Sequence, residues 1–186
     1  MNDDERTARI RALSCLLPLL LLATPAGSVQ AGEIFTGVLG HDVETPLTLG
    51  GYEGGADLQL GWRGARIGAL LVIGSPSPYV FGSLSTAGET NFAAAGLSWR
   101  IGGDLYVRPG IGVAVHDRKS LIIGEDRFRR DLGSRVLFEP EIGVGYQLNE
   151  RLSMEVTWVH ISQGQLFSEQ NPGMDSIGVR LNYRLR

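Results

Sequence analysis

The chain has 186 residues, with 17 Lys and Arg, 20 Asp and Glu and a formal net charge of −3 at pH 7. This balance argues against a nucleic-acid partner, which would favour a basic surface. Its 26 glycines and one cysteine form no phosphate-binding glycine loop, no paired metal-ligand spacing and no repeat of fixed period. The sequence therefore predicts no metal, no cofactor and no disulfide framework.

The first 31 residues are typical of an export signal. Arginines at positions 6, 9 and 11 precede an apolar run over 12–23, and Val29-Gln30-Ala31 fits a small-residue cleavage site. We predict cleavage after Ala31, which removes the single cysteine, Cys15, with the signal peptide (1–31). The apolar run is too short to span a membrane as a helix, and no later segment reaches the necessary length of about 20 apolar residues. Residues 32–186 are predicted to form one domain.

Past residue 32, apolar and polar residues alternate with period two, which is typical of β-strands. The clearest strand is the last, where Ile177, Val179 and Leu181 fall on one face and Arg180 and Asn182 on the other. In chain order the predicted strands cover 33–41, 54–62, 66–85 with an interruption by two prolines, 90–101, 105–116, 134–148, 152–163 and a final strand that opens at 175.

The connections between these strands alternate between short and long. Tight turns are predicted at 63–65, 102–104 and 149–151, and mostly longer loops at 42–53, 86–89, 117–133 and 164–173. Short turns at the periplasmic end and longer loops at the outer end are typical of outer-membrane barrels. We therefore predict an all-β fold, an eight-stranded antiparallel transmembrane β-barrel spanning 32–186 and located in the outer membrane.

Charged side chains collect on the face opposite the apolar one. In a membrane barrel that face is the lumen, whereas a soluble ligand-binding barrel would turn its apolar face inward. We expect Arg108 to pair with Glu139 or Glu141, and Glu155 with Arg180, across neighbouring strands. Eight strands enclose only enough space for their own side chains, so the function is expected on the outside of the barrel or on its loops.

Two polar residues, His160 and Ser162, end the otherwise apolar face formed by Leu152, Met154, Val156 and Trp158. Asp175 has the same parity as Ile177 in the last strand, so His160, Ser162 and Asp175 are predicted to converge at the outer end of one hairpin and to face lipid. A serine becomes a good nucleophile when a base takes its proton, and a carboxylate orients that base. The pattern favours hydrolysis of an acyl ester, and a lipid of the outer leaflet is the available ester.

The tail resembles the lipid A deacylase (PagL) family of outer-membrane barrels through His160-Ile161-Ser162-Gln163 and Asn171-Pro172-Gly173-Met174-Asp175-Ser176. This resemblance implies His160 as general base, Ser162 as nucleophile and Asp175 as the orienting acid. It also implies metal-free removal of the ester-linked acyl chain at the 3-position of lipid A in lipopolysaccharide.

Three features depart from the family pattern, and one of them is that the small residues expected after the serine motif appear only partly, as Gly164 and then Gln165. Asp175 stands where the family has glutamate, and Gln163 stands where an asparagine helps to form the oxyanion hole. The backbone N–H groups of Gly164 and Gln165 could substitute as oxyanion donors, since losing one donor costs on the order of a hundredfold in rate.

Other polar residues have simpler interpretations. Trp158 is expected in the interfacial aromatic belt, and His116 is expected to point into the lumen as a hydrogen-bonded structural residue. His41, Asp42 and Glu44 could be taken for a metal cluster, but a solvated loop edge is the favoured interpretation. Arginines in the loop over 117–133 could bind lipid A phosphates, and a solvated mixed-charge loop is the favoured alternative.

Two other functions stay open at this point. The first alternative is a non-catalytic small outer-membrane barrel with a structural or adhesive role, and the second is a soluble ligand-binding barrel in the periplasm. The sequence does not decide the acyl-chain selectivity, any latency in the intact membrane, or whether the protein forms a homodimer.

Overall fold

The computed structural model describes residues 32–46, 48, 53–117, 121–123, 128–130, 132, 134–163 and 173–185. Eight long strands dominate it. They are β1 (Glu33–Gly40), β2 (Ala56–Arg63), β3 (Ser77–Ser85), β4 (Phe92–Ser98), β5 (Leu105–His116), β6 (Val136–Gln147), β7 (Leu152–Ile161) and β8 (Met174–Arg184).

These strands form one closed antiparallel barrel. Each strand pairs with its neighbours in the chain, and β1 also pairs with β8, with Glu33 opposite Arg184 and Gly40 opposite Ile177. The predicted eight-stranded antiparallel barrel is therefore confirmed. Because β1 begins and β8 ends at the same end of the barrel, we call it the periplasmic end and the opposite one the outer end.

The barrel is apolar outside and polar inside. Large aliphatic side chains such as Leu60, Val113 and Val156 are more than half exposed on the outer surface. The lumen contains fully buried polar side chains, among them Gln59, Arg180 and Asn182. This distribution is the one that a surrounding bilayer requires.

The lumenal ion pairs differ from the predicted ones. Arg108 Nε donates to Glu155 Oε1 at 2.6 Å, and Arg180 Nη1 donates to Glu141 Oε2 at 2.6 Å. Glu155 lies directly opposite Arg180 in the β7–β8 ladder, yet the long guanidinium side chain reaches past it to another strand. Glu139 accepts instead from the Tyr79 hydroxyl. Pairing across neighbouring strands was the wrong assumption, because arginine can cross the narrow lumen.

One predicted turn is also wrong. The connection between β2 and β3 is not a tight turn at 63–65 but extends over 64–76 and includes a 3-10 helix at Gly68–Ile73. β3 begins only at Ser77, directly after Pro76. A two-residue strand (Ile101–Gly102) pairs with the start of β5, and a hairpin joins Leu121–Ile123 to Phe128–Arg130. Within the described residues, no helix is long and apolar enough to cross a membrane.

Candidate active site

The candidate site lies at the outer end of β7 and β8, where the two strands place a histidine and an aspartate side by side. His160 is directly opposite Asp175 in the ladder, two positions beyond the Trp158–Ile177 pair. Ile177 is exposed on the outer surface, so by the period of two the His160–Asp175 pair belongs to the same lipid-facing side. Nδ1 of His160 lies 2.7 Å from Asp175 Oδ1.

The Asp175 carboxylate is completely buried and accepts hydrogen bonds on both oxygens. Besides His160, the indole Nε1 of Trp158 donates to Oδ1 at 3.0 Å. The other oxygen, Oδ2, accepts from the hydroxyl of Thr48 at 2.9 Å and from the hydroxyl of Thr45. A buried carboxylate is costly unless such donors stabilise it, so these contacts favour the ionised form.

The His160 ring is held by stacking as well as by hydrogen bonding. The rings of Trp158 and His160 are stacked, with centroids 5.7 Å apart and planes at 25°. On the turn before β8, Gly173 has a φ of +61°, and a Cβ there would lie 2.9 Å from Cε1 of His160. Only glycine fits this backbone and this close approach without strain. Because Nδ1 of His160 donates its proton to the Asp175 carboxylate, Nε2 of the same ring is the basic nitrogen.

Ser162 follows the end of β7 and forms a bridge to β6. Its N–H donates to the carbonyl of Phe138 at 3.0 Å, and its carbonyl accepts from the Phe138 N–H at 2.7 Å. Residues directly opposite in an antiparallel pair share a face, and Phe138 is exposed on the outside of the barrel. Ser162 is therefore on the lipid-facing side with His160, about 6 to 7 Å away between Cα atoms. The contacts of the described residues include no hydrogen bond between Ser162 Oγ and the His160 ring.

Of the three residues considered for the oxyanion hole, only Gln163 is among the described residues. Gln163 is fully buried, whereas Gly164 and Gln165 lie outside the described residues. Most of the charged loop over 117–133 also lies outside them or has only its backbone described.

Three residues of the site were not predicted from the sequence. Trp158, expected to be a belt residue, is instead a hydrogen-bond donor to Asp175 and a stacking partner of His160. Its position two residues before His160 on the same face was the available signal. Thr45 and Thr48 lie about 130 residues away in the chain, and no local pattern connects them to Asp175.

A second polar cluster lies in the lumen behind this site. His41 Nδ1 is 2.7 Å from Asp57 Oδ1, and its Nε2 is 2.8 Å from Glu53 Oε2. The Ser176 hydroxyl donates to Asp57 Oδ2 at 2.8 Å, and Glu53 also accepts from the N–H and hydroxyl of Thr90. We call His41, Glu53 and Asp57 the lumenal cluster.

The solvated loop edge expected for His41 is therefore wrong, because His41 is only 4% exposed and both ring nitrogens face carboxylates. Burial lowers the pKa of His41, but the hydrogen bonds and charges of Asp57 and Glu53 outweigh burial and raise the pKa from 6.5 to about 9. His41 is thus an imidazolium at neutral pH and is not available as a base. His116 is half-buried, and its Nε2 lies 2.8 Å from the Ser134 carbonyl oxygen.

Comparison with known proteins identifies the family. The family profile described as lipid A 3-O-deacylase (PagL) matches residues 50–184, which is most of the chain. The chain belongs to the PagL family. Among curated proteins, none matches it.

The chain is similar in structure to several solved proteins. The crystal structure of the outer membrane enzyme PagL is similar with a TM-score of 0.58 and 20% identity, over 82% of this chain and 99% of that chain. A de novo designed transmembrane β-barrel has a TM-score of 0.49 and 12% identity, over 86% of this chain and 98% of that chain. The Yersinia pestis outer membrane protein Ail has a TM-score of 0.48 and 13% identity, over 83% and 99%. The PagL family and the barrel together indicate an outer-membrane protein.

Proposed function

We propose that this protein is a lipid A deacylase that uses Ser162, His160 and Asp175 as a catalytic triad. The observation that carries the proposal is the 2.7 Å contact between His160 Nδ1 and the buried Asp175 carboxylate on the lipid-facing side of a PagL-family barrel. A histidine oriented in this way, two residues from a serine on the same face, supports a role for His160 as the general base of Ser162.

In the proposed reaction, Nε2 of His160 takes the Ser162 proton while Oγ attacks the ester carbonyl carbon of a lipid acyl chain. Asp175 stabilises the imidazolium that forms. The tetrahedral intermediate then collapses, the bond between the acyl carbon and the sugar oxygen breaks, and His160 returns its proton to that oxygen. A water molecule, deprotonated by His160, then attacks the acyl-serine carbonyl carbon. The bond between that carbon and Oγ breaks, His160 returns the proton to Oγ, and a fatty acid is released.

The proposed substrate is the ester-linked acyl chain at the 3-position of lipid A, which is the bond that the family description names. Lipid A lies in the outer leaflet, the depth at which the outer ends of β7 and β8 meet the membrane. The proposal also includes export by the signal peptide over residues 1–31 and action without a metal or cofactor.

The test is Ser162→Ala, expressed in a strain whose lipid A carries the 3-position chain, with lipid A analysed by mass spectrometry. The active protein should yield lipid A that has lost one ester-linked chain, and S162A should not. Ser153→Ala is the matched control, because Ser153 is on the same strand but faces the lumen and hydrogen bonds with Tyr106. A heat-dependent shift in gel migration checks that each variant folds as a barrel.

Lipid A that keeps all of its acyl chains with both the wild-type protein and S162A would reject the proposal. It would favour a non-catalytic barrel instead. Deacylation by both proteins would reject Ser162 as the nucleophile while leaving the reaction class intact.

A further inference from the structure

The described residues between β1 and β2 (41–46, 48 and 53–55), which we call loop 1, contact Asp175 through main chain and side chains. The N–H of Val43 donates to the Asp175 carbonyl at 2.8 Å. The hydroxyls of Thr45 and Thr48 both donate to Oδ2 of the carboxylate. A hydrogen bond from the Thr48 N–H to the Thr45 carbonyl, 3.2 Å long, closes the turn that brings the two hydroxyls together.

These contacts divide the carboxylate into two halves with different partners. Oδ1 accepts from His160 and Trp158, and Oδ2 accepts from the two threonines. A carboxylate has about four acceptor sites, so these four donors are enough to fix the rotation of the carboxylate plane. Among the described residues, His160 is the titratable side chain that hydrogen bonds to it.

Resting on the proposed function, we propose that Thr45 and Thr48 are positioning residues that hold the Asp175 carboxylate with Oδ1 toward the His160 ring. Aspartate has a short side chain, and it reaches His160 here because the two residues are directly opposite in the ladder. The threonines restrain the far oxygen, so the near one stays at the Nδ1 proton and Nε2 stays basic.

Loop 1 has anchors that do not depend on the two hydroxyls. Val43 is held by its main-chain hydrogen bond, and at the two ends of the loop His41 and Glu53 belong to the lumenal cluster. Replacing threonine by valine keeps the branched shape and removes only the donor. Loop 1 is therefore expected to keep its position in such variants. A change in activity can then be attributed to the Asp175 carboxylate and not to displacement of the loop.

The test compares Thr45→Val/Thr48→Val with Thr45→Ser/Thr48→Ser, both refolded in detergent micelles. The valine variant should lower kcat on the order of tenfold or more, because charge-assisted hydrogen bonds are lost. KM should stay unchanged, because neither hydroxyl is assigned a contact with lipid. The serine variant should retain most of the rate.

The pH dependence gives a second readout that loss of packing alone would not move. Without the threonine donors the carboxylate oxygens become more basic and hold the His160 proton more tightly. The acidic limb of the kcat/KM profile, which reports formation of the free base, should then move to higher pH by about half a unit or more. The serine variant should keep the wild-type profile.

A third readout does not need activity. The Nδ1 proton of His160, assigned by its loss in His160→Gln, should give a strongly downfield NMR signal in the wild type that shifts or broadens in the valine variant. An unchanged signal, or an unchanged kcat and pH profile, would overturn the proposal even if Ser162 is confirmed as nucleophile. A wild type that releases no fatty acid would instead reject the proposed function, while the NMR comparison still decides whether the threonines hold Asp175. If the double variant does not fold, T48V and T48S are compared with the same readouts.

Discussion

The lumenal cluster makes a quantitative prediction about stability and pH. We consider His41→Gln, which removes the imidazolium and leaves Glu53 and Asp57 buried without a cation between them. Each pKa unit between the folded and unfolded states corresponds to about 1.4 kcal/mol. The rise in the pKa of His41 from 6.5 to about 9 therefore contributes about 3 kcal/mol to the free energy of unfolding.

The sign follows from the direction of the shift. Because the folded protein binds this proton more tightly than the unfolded chain, the contribution is fully present below pH 6.5. It declines as the pH rises, and it is lost above pH 9, where His41 is neutral in both states. The stability difference between wild type and H41Q should accordingly be largest in mildly acidic buffer and shrink by about 3 kcal/mol toward alkaline pH.

The assay is unfolding by guanidinium chloride in detergent micelles between pH 6 and pH 10, followed by tryptophan fluorescence. Titration of groups distant from His41 occurs in both proteins and largely cancels in the difference. His116→Gln is the control, since its ring hydrogen bonds to a backbone carbonyl. A wild-type advantage over H41Q that is the same at both ends of this pH range would refute the reasoning.

Three further outcomes are expected. Asp175→Asn should lower the rate of fatty-acid release by about a thousandfold or more while the barrel stays folded, because an amide can stabilise the wrong tautomer of the His160 ring. A near-normal rate in this variant would contradict the role of Asp175. Gly173→Ala should reduce kcat and lower the free energy of unfolding by about 1 to 2 kcal/mol, because the new Cβ would lie 2.9 Å from Cε1 of His160 and φ is positive at this position. Unchanged kinetics and unfolding would contradict this prediction. Arg180→Met should destabilise the barrel by about 3 kcal/mol in the same unfolding assay, because the buried Glu141 loses its closer cation and keeps only Arg63, with Nη2 3.6 Å from Oε1. A fully stable variant would show that the pair with Arg180 is dispensable.

Much of the fold follows from local pattern. The alternation of apolar and polar residues predicts all eight strands, seven of them within a few residues of their bounds, whereas β3 begins at Ser77 and not at 66. For β5 the predicted range 105–116 agrees with the structure. The same period of two predicts which face of the sheet each side chain occupies, so the sequence alone places His160 and Asp175 on one side of one hairpin.

What local pattern could not predict depends on contacts between distant segments. The segment after β2 has a strand-like composition, but its proline and its 3-10 helix make it a long connection. Arg108 and Arg180 choose partners across the lumen that register alone does not indicate. The threonines of loop 1 and the burial of His41 follow from how that loop folds over the barrel end, which no periodicity encodes.

The filled lumen has a consequence for how such an enzyme would meet its lipids. Eight strands enclose little more than their own side chains, and the described residues place arginines, carboxylates and aromatic rings in the lumen, so reconstituted vesicles should stay electrically tight. Lipid substrate reaches a reactive centre on the barrel wall by lateral diffusion within one leaflet. Its turnover should therefore follow the mole fraction of lipid A in the surrounding surface rather than the bulk amount of lipid in suspension.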